Sequence, residues 1–321
     1  MPDDLIPSRS LRPGQTCEVR IASIVTGASE LVYASDELLL EAPNWTHDGG
    51  RLVLNGDGAL WTFGLEARVL RRVPLEGVPA LNNDHVLDPR TDGIYVSAND
   101  GHIYRGDLRG GAAVRVTDDD GFFHFLHGIS PDAAELAYIG LDASDLTSPG
   151  RLFTMPATGG APTMIDLGDG HSDGPEYSAD GAWIHLNTEA FTEAPGHAQI
   201  GRVRVDGSDL ERLTESETVD WFPHVSPSGE FATYLRFPPG TLGHPADRSV
   251  EIVVVSTNDW ATPLLRLPLP GGQGTLNVNS WAPDSARFAY VAYPMSENPT
   301  NGTNGVSTRQ AARKNSFARA E

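Results

Sequence analysis

Residues 129–138, with the sequence ISPDAAELAY, decide the fold because similar phrases recur along the chain. A copy has an apolar residue, usually Ser or Thr, often Pro, Asp and Gly, and then a strand in which apolar and polar residues alternate. The six copies lie at 45–53, 87–96, 129–138, 177–186, 225–234 and 281–290, the second being degenerate. Anchored on the proline position, they are 42, 42, 48, 48 and 56 residues apart. A period of about 40 to 50 residues built from short strands predicts the blades of a β-propeller.

The ends of the chain predict how the ring closes. After the last copy one clear strand remains, up to Tyr293, whereas residues 17–24 and 30–34 supply two strands before the first copy. Pairing these strands with the last blade removes sheet edges that would otherwise invite aggregation. The predicted fold class is all-β, a six-bladed β-propeller with four-stranded blades, closed by the N-terminal strands. We expect an N-terminal arm at 1–13, the propeller at 14–295 and a disordered polar tail at 296–321.

The charge balance narrows the range of partners. Lys and Arg number 23 against 43 Asp and Glu, a formal charge of −20, so phosphates and anionic membranes are repelled. We expect no nucleic-acid partner and no membrane partner, whereas a cation or a neutral sugar is not repelled. The one cysteine, Cys17, excludes a disulfide within the chain and a zinc–cysteine site. Neither a run of about 18 apolar residues nor a signal-peptide pattern occurs, which predicts a cytoplasmic protein.

The repeated Ser-Pro-Asp-Gly phrase resembles the repeats of TolB-like propeller proteins, which are also described as WD40-like or PD40 repeat proteins. Residues that carry the resemblance include 41–45 (EAPNW), 172–178 (SDGPEYS) and 221–227 (WFPHVSP). It spans nearly all of the chain except the tail and implies an intracellular, uncharacterised subgroup. We expect neither the extra N-terminal domain nor the export signal of periplasmic TolB, so a role in the Tol-Pal envelope system is not implied.

The segments just before the repeated phrases are the innermost strands of the predicted propeller, and they are unusually polar. They supply the predicted ligand-binding residues Asn44, Asn83, Asp84, His124, Asp173, Glu176 and Asn277. His85 and His127 are the candidates for acid/base catalysis. Amides and carboxylates bind sugar hydroxyls, and imidazoles and carboxylates bind divalent cations. The same polar groups can also have a purely structural role, in which they bond to turns and to buried water. The sequence therefore leaves sugar binding, cation binding and a structural role open.

A more distant similarity to oligogalacturonate lyases, which are also propellers with TolB-like repeats, implies a manganese ion in the channel. In that family the ligands include a His, and a Gln followed at plus three and plus five by two His. His224 and Gln273 match the first two, but Leu276 and Val278 stand at the other two positions. The resemblance therefore implies an ion such as Mn, Ca or Zn only if another His, His244 or His127, substitutes, and we take His224, His244 and Gln273 as the candidate ligands.

Two functions remain in view. The first is a binding scaffold that presents a His-rich channel mouth to a small molecule, an oligosaccharide or a partner protein. The alternative is a carbohydrate-active enzyme, a metal-assisted oligosaccharide lyase or hydrolase, in which a metal neutralises a substrate carboxylate while a side chain abstracts a proton. The missing His pair after Gln273 favours the binding scaffold, whereas the concentration of His residues around the predicted channel favours the enzyme.

Overall fold

A computed structural model describes residues 9–296 of the chain. Their strands form five four-stranded sheets, one three-stranded sheet and one short pair. No helix occurs in this part of the chain, and so none that could cross a membrane. The structure confirms the predicted all-β propeller with six blades. Residues 1–8 and 297–321 lie outside the described residues, and with them most of the predicted arm and tail.

The strands take their bounds from the alternating segments of the sequence. The first twelve are β1 (Cys17–Ser23), β2 (Ser29–Ser35), β3 (Glu41–Trp45), β4 (Arg51–Gly56), β5 (Ala59–Gly64), β6 (Val69–Arg72), β7 (Leu75–Glu76), β8 (Leu81–Leu87), β9 (Gly93–Ala98), β10 (Ile103–Asp107), β11 (Gly111–Ala112) and β12 (Val114–Arg115). The next eight are β13 (Phe122–Ile129), β14 (Glu135–Asp142), β15 (Arg151–Pro156), β16 (Thr163–Ile165), β17 (Ser172–Tyr177), β18 (Trp183–Thr188), β19 (Gln199–Arg204) and β20 (Glu211–Arg212). The last five are β21 (Val219–Val225), β22 (Phe231–Phe237), β23 (Arg248–Ser256), β24 (Asp259–Gly271) and β25 (Arg287–Ala292).

Each blade is an antiparallel sheet whose first strand faces the channel. Blades 1 to 5 are β3–β6, then β8, β9, β10 and β12, then β13–β16, β17–β20 and β21–β24. The first strands β8, β13, β17 and β21 contact one another across blade boundaries, which places them around the axis. Between neighbouring blades, buried apolar residues form separate clusters.

The N-terminal strands close the ring as predicted. β1 lies between β25 and β2, and Glu18 pairs with Ala292. The sheet of this sixth blade has three strands. The segment before the last repeat is joined to β25 by isolated backbone hydrogen bonds and does not form a continuous ladder with it. Examples are Val291 N–H to Thr275 O at 3.1 Å and Ala289 N–H to Ser280 O at 2.9 Å. The innermost place of blade 6 is therefore taken by an irregular segment.

Breaks in register turn side chains of the innermost strands toward the channel. The pairing of β3, β8, β13, β17 and β21 each contains one such β-bulge. At three of them a residue with positive φ precedes a proline: Ala42 at 51°, Gly174 at 60° and Phe222 at 56°. Proline cannot donate to the ladder, and a bulge bends its strand and re-aims the side chains beside it. The bulges thus divide each innermost strand into two parts that face different ends of the channel.

Candidate functional site

A cavity of about 320 Å³ occupies the end of the channel where the innermost strands begin, and we call it the upper cavity. Its apolar wall consists of Leu81, Phe125, Ile139, Leu141 and Phe222. Its polar wall includes Asn55, Asn83, Asp84, Asn99, His127, Asp173 and Asn277. Small-molecule sites have this size and this mixture of apolar walls and a few placed polar groups.

Asp173, at the start of β17, is the anionic centre of the upper cavity. Its carboxylate faces Nε2 of His127 at 3.1 Å, of His244 at 3.5 Å and of His171 at 3.7 Å. Burial raises the pKa of Asp173, but hydrogen bonds from these imidazoles outweigh burial and hold the pKa well below its usual range. Gly150 N–H donates to Nδ1 of His171 at 2.8 Å, so that ring carries its hydrogen on Nε2.

His127 is held as a cation. Its Nε2 faces Asp173, and its Nδ1 donates to the carbonyl oxygen of Asn277 at 3.2 Å. Both partners accept hydrogen bonds, so both ring nitrogens carry hydrogen. Burial lowers the pKa of His127, but Asp84 and Asp173 together outweigh it and raise the pKa to about 9. At neutral pH this ring can donate a proton but has no lone pair with which to bind a metal or accept one.

A chain of hydrogen bonds fixes His244. Gly274 N–H donates to Oδ1 of Asn277 at 2.8 Å, and Nδ2 of Asn277 donates to Oε1 of Gln273 at 3.2 Å. The same Gln273 oxygen accepts from Nδ1 of His244. Both ring nitrogens of His244 therefore face hydrogen-bond acceptors, Nδ1 the Gln273 oxygen and Nε2 the carboxylate of Asp173.

Asp84, on β8, is a buried carboxylate with few partners. Its side chain is 4% exposed, and Asn82 Nδ2 donates to its Oδ2 at 2.9 Å. Among residues 9–296, no nitrogen of a basic side chain lies within 4.0 Å of the Asp84 carboxylate, which is the distance limit of an ion pair. By contrast, Glu41, Asp173 and Glu176 each have such a partner. Burial raises the pKa of Asp84 to about 6.

Three asparagines of the polar wall keep buried amide atoms without a hydrogen-bond partner among the described residues. They are Nδ2 of Asn55, Nδ2 of Asn83 and Oδ1 of Asn99, and the residues are 2%, 6% and 3% exposed. Buried amides are nearly always hydrogen-bonded, and leaving one unpaired costs about 1–3 kcal/mol. The two donors and one acceptor match a molecule that both accepts and donates.

His85 lies behind this wall and does not line the cavity. Its Nδ1 donates to Oδ1 of Asn55, and burial lowers its pKa to about 3. His85 is therefore neutral and orients Asn55, so the candidate for acid/base catalysis is a positioning residue in this structure.

Arg9 lies at the mouth of the upper cavity. Its guanidinium donates to Glu41 at 3.2 Å, to the carbonyl oxygen of Gln273 at 2.6 Å and to Asp247 at 2.9 Å. It also stacks 4.1 Å from the ring centre of Tyr293. Two carboxylates already pair with Arg9, so its charge is neutralised within the protein.

The opposite end of the channel holds a second cavity of about 340 Å³, the lower cavity, where the innermost strands end. The predicted residues Asn44 and Glu176 line this one. Glu176 accepts from Val225 N–H at 3.0 Å and from Nδ2 of Asn279 at 2.7 Å, and it faces Nδ1 of His224 at 2.7 Å. Of the described residues, His127 alone lines both cavities.

The structure does not bring the three predicted metal ligands together. His244 and Gln273 line the upper cavity, but His224 belongs to the Glu176 network and its Nε2 donates to the carbonyl oxygen of Leu276 at 2.9 Å. Both nitrogens of His224 are taken by hydrogen bonds, and within residues 9–296 no three His, Cys, Asp or Glu side chains are placed to hold a metal ion. As the structure places them, these three residues do not form the manganese site that the resemblance implied, because His224 lies in the Glu176 network and the other two line the upper cavity.

The other predicted residues divide between places. The structure brings Asn83, Asp84, His127, Asp173 and Asn277 to the upper cavity. His124 lies away from it, because its ring nitrogens bond to the carbonyl oxygen of Gly101 at 2.6 Å and to Asp120 at 3.2 Å.

Sequence reasoning missed several residues of the upper cavity: Arg9, Asn55, Asn99 and Phe222. Asn55 lies on the second strand of its blade, and Asn99 directly follows the second strand of the next blade. The site residues were predicted from the segments that form the first strands. The available signal was an Asn close to the end of an apolar second strand, in LVLN at 52–55 and in IYVSAN at 94–99.

Comparison with known proteins gives one relative by sequence and several by structure, whereas no family model matches the chain. An uncharacterized protein of Agrobacterium fabrum is 35% identical over 282 residues, which cover 86% of this chain and 92% of the relative. A solved structure from Agrobacterium tumefaciens, provisionally described as TolB, is 34% identical with a TM-score of 0.79 and covers 87% of this chain and 98% of its own.

Two more distant structures show the fold alone. TolB from Acinetobacter baumannii is 17% identical with a TM-score of 0.57, over 80% of this chain and 64% of that one. An oligogalacturonate lyase in complex with manganese is 14% identical with a TM-score of 0.51, over 83% of this chain and 74% of the lyase.

Proposed function

Because the chain belongs to the family of TolB-like β-propeller proteins, we propose that it is a binding protein whose upper cavity holds a small polyhydroxylated molecule such as a sugar. The observation that carries the proposal is the set of unpartnered amide atoms of Asn55, Asn83 and Asn99. A hydroxyl group both donates and accepts hydrogen bonds, so neighbouring hydroxyls of one ligand can satisfy all three.

The other wall of the upper cavity supports the same ligand class. Phe125 and Phe222 offer apolar surface opposite the asparagines, and a sugar has both apolar C–H faces and polar edges. A sugar acid is less well supported, because Glu41, Asp84 and Asp173 line the cavity while its cations Arg9 and His127 are already paired. The alternative of a metal-assisted carbohydrate-active enzyme loses the support that His224 was expected to give.

The test is a screen of neutral monosaccharides and alditols by thermal shift, followed by isothermal titration calorimetry. Saturable binding is expected, and Asn99→Ala should weaken it by about tenfold or more, because a buried donor or acceptor of the ligand is then left unpaired. Asn258→Ala, at an exposed asparagine of the β23–β24 turn, is the matched control and should bind as the wild type does. If no neutral polyhydroxylated compound binds saturably, the proposal fails.

A partner protein and a cytoplasmic location remain further proposals from the sequence. Both can be tested in the source cell, by cell fractionation and by crosslinking of the intact protein. Recovery of the protein outside the cytoplasm would contradict the second.

A further inference from the structure

We propose that the ligand of the upper cavity is a polyhydroxylated amine, such as an amino sugar or an amino alditol, whose ammonium group pairs with Asp84. The inference rests on the proposed function, since it takes the binding of a hydroxylated molecule as given. It adds the charge of that molecule and the residue that recognises it.

The first argument is the pairing of buried carboxylates throughout the propeller. Partner distances are 3.2 Å for Glu41 with Arg9, 3.1 Å for Asp173 with His127, 2.7 Å for Glu176 with His224, 3.4 Å for Asp220 with Arg236 and 3.4 Å for Asp88 with Arg105. Asp84 is buried to a similar degree and has no such partner among the described residues. Asp84 is therefore the exception among the buried carboxylates compared here.

The second argument is what a buried carboxylate requires. A charge taken out of water is stable only when it is paired and hydrogen-bonded. Asp84 has one amide donor, Nδ2 of Asn82, for its two oxygens. An ammonium group brings a positive charge and three donors, which is the complement that Asp84 lacks.

The third argument is the charge that surrounds Asp84. The titratable groups that face it are His127, His244, Asp173 and Glu41. The charge of His127 is engaged by Asp173 at 3.1 Å, and His244 Nε2 is turned to the same carboxylate at 3.5 Å. Both imidazoles therefore contact Asp173 and attract Asp84 only from a greater distance, so Asp84 has no ion-pair partner of its own among residues 9–296, and a cationic group of the ligand is attracted to it.

Two features make an ammonium group a better occupant than a bare metal ion. Within residues 9–296 no group of three His, Cys, Asp or Glu side chains, with or without Asp84, is placed to hold a metal ion. The neighbouring residue Asn83 has one of the unpartnered amide donors and lines the same cavity. One small molecule that carries both an amine and hydroxyls can reach both groups within about 320 Å³.

The test compares matched ligands on the full chain at pH 7: glucose with glucosamine, and sorbitol with 1-amino-1-deoxysorbitol, by isothermal titration calorimetry. At least one amine is expected to bind about tenfold or more tighter than its hydroxyl counterpart, as a charge-assisted hydrogen bond would provide. Asp84→Asn should remove this preference, so that an amine and its hydroxyl counterpart bind the variant with affinities within about threefold of each other. Asp36→Asn, an exposed carboxylate on the β2–β3 connection, changes the net charge equally and should keep the preference.

The outcomes separate the two proposals. Neutral polyols that bind without a preference for the amines, or a preference that survives Asp84→Asn, overturn this inference and leave the proposed function standing. A chain that binds neither member of either pair, and no other compound of the neutral screen, overturns both. At pH 5 the preference should shrink in the wild type, because Asp84 is then largely protonated.

Discussion

The two ends of the channel use the same kinds of side chain with opposite results. At the lower cavity, Glu176 has three hydrogen-bond partners, one of them His224. At the upper cavity, Asp84 has one amide partner and three neighbouring asparagines keep unpaired atoms. A polar group alone therefore does not mark a binding site. The difference lies in whether the protein itself satisfies the buried carboxylate: the completed network of Glu176 stabilises the fold, and we propose that a ligand completes the network of Asp84.

The largest expected effect breaks the completed network. His224→Ala leaves the carboxylate of Glu176 buried without its imidazole and should lower the free energy of unfolding by about 3–5 kcal/mol. Urea denaturation followed by tryptophan fluorescence measures the change. The double variant Glu176→Gln/His224→Ala should recover part of the loss, because the uncompensated charge is gone. A loss below about 1 kcal/mol in the single variant would show that the lower network is not a structural one.

The next effect concerns His127, which both cavities share. Its folded pKa of about 9 exceeds the pKa of about 6.5 of an unfolded His, so its protonated form stabilises the fold. This contribution is complete below about pH 6.5 and is lost as the pH rises through 9, by up to about 3 kcal/mol. Wild type and His127→Gln, compared by denaturation from pH 6 to 10, should show this loss in the wild type only. Parallel curves would contradict it.

A substitution in the incomplete network should stabilise the protein instead of destabilising it. Asp84 has a folded pKa of about 6, above the value of about 3.9 for unfolded Asp, so the wild type loses stability as the pH rises from 4 through 6. Asp84→Asn should therefore be more stable than the wild type at pH 7.5, by up to about 3 kcal/mol, and nearly equal to it at pH 4. Thermal denaturation at the two pH values measures this. A variant that is less stable at pH 7.5 would contradict an unpaired Asp84.

The smallest effect tests the bulge that separates the two ends. A Cβ at Gly174 would lie 3.1 Å from Oδ1 of Asn187 and from Cδ1 of Phe222, at φ +60°. Gly174→Ala should cost about 2 kcal/mol from strain and contact together. Gly229, at φ +74° with nothing within 4 Å of such a Cβ, is the control for strain alone, and Gly229→Ala should cost about 1 kcal/mol. Equal losses would mean that the contact contributes nothing.

The blades could be predicted from the sequence because their determinants are local. Alternation and turn residues within each repeat fix a strand, and the surplus strands at 17–24 and 30–34 were sufficient to predict closure by β1 and β2. The irregular innermost segment of blade 6 could not be predicted in the same way, because its pairing depends on the whole ring.

The site could be predicted only as a region. Polar innermost strands indicated Asp84, Asp173 and Glu176, but they did not show that Glu176 faces the other cavity. A bulge re-aims the side chains beyond it, and the sequence signal for it was a proline inside a strand, such as Pro175 or Pro223. Which polar groups remain unpaired depends on contacts between distant blades, such as the hydrogen bond from His127 to the carbonyl oxygen of Asn277. The spacing of residues along the sequence does not reveal such contacts.

The ring of His127 contributes to the walls of both cavities. Because hydrogen bonds hold both of its nitrogens, a shift of this ring changes the two walls at once. A molecule that moves the ring when it binds in one cavity should therefore alter the affinity of the other cavity, and the factor is the same in both directions.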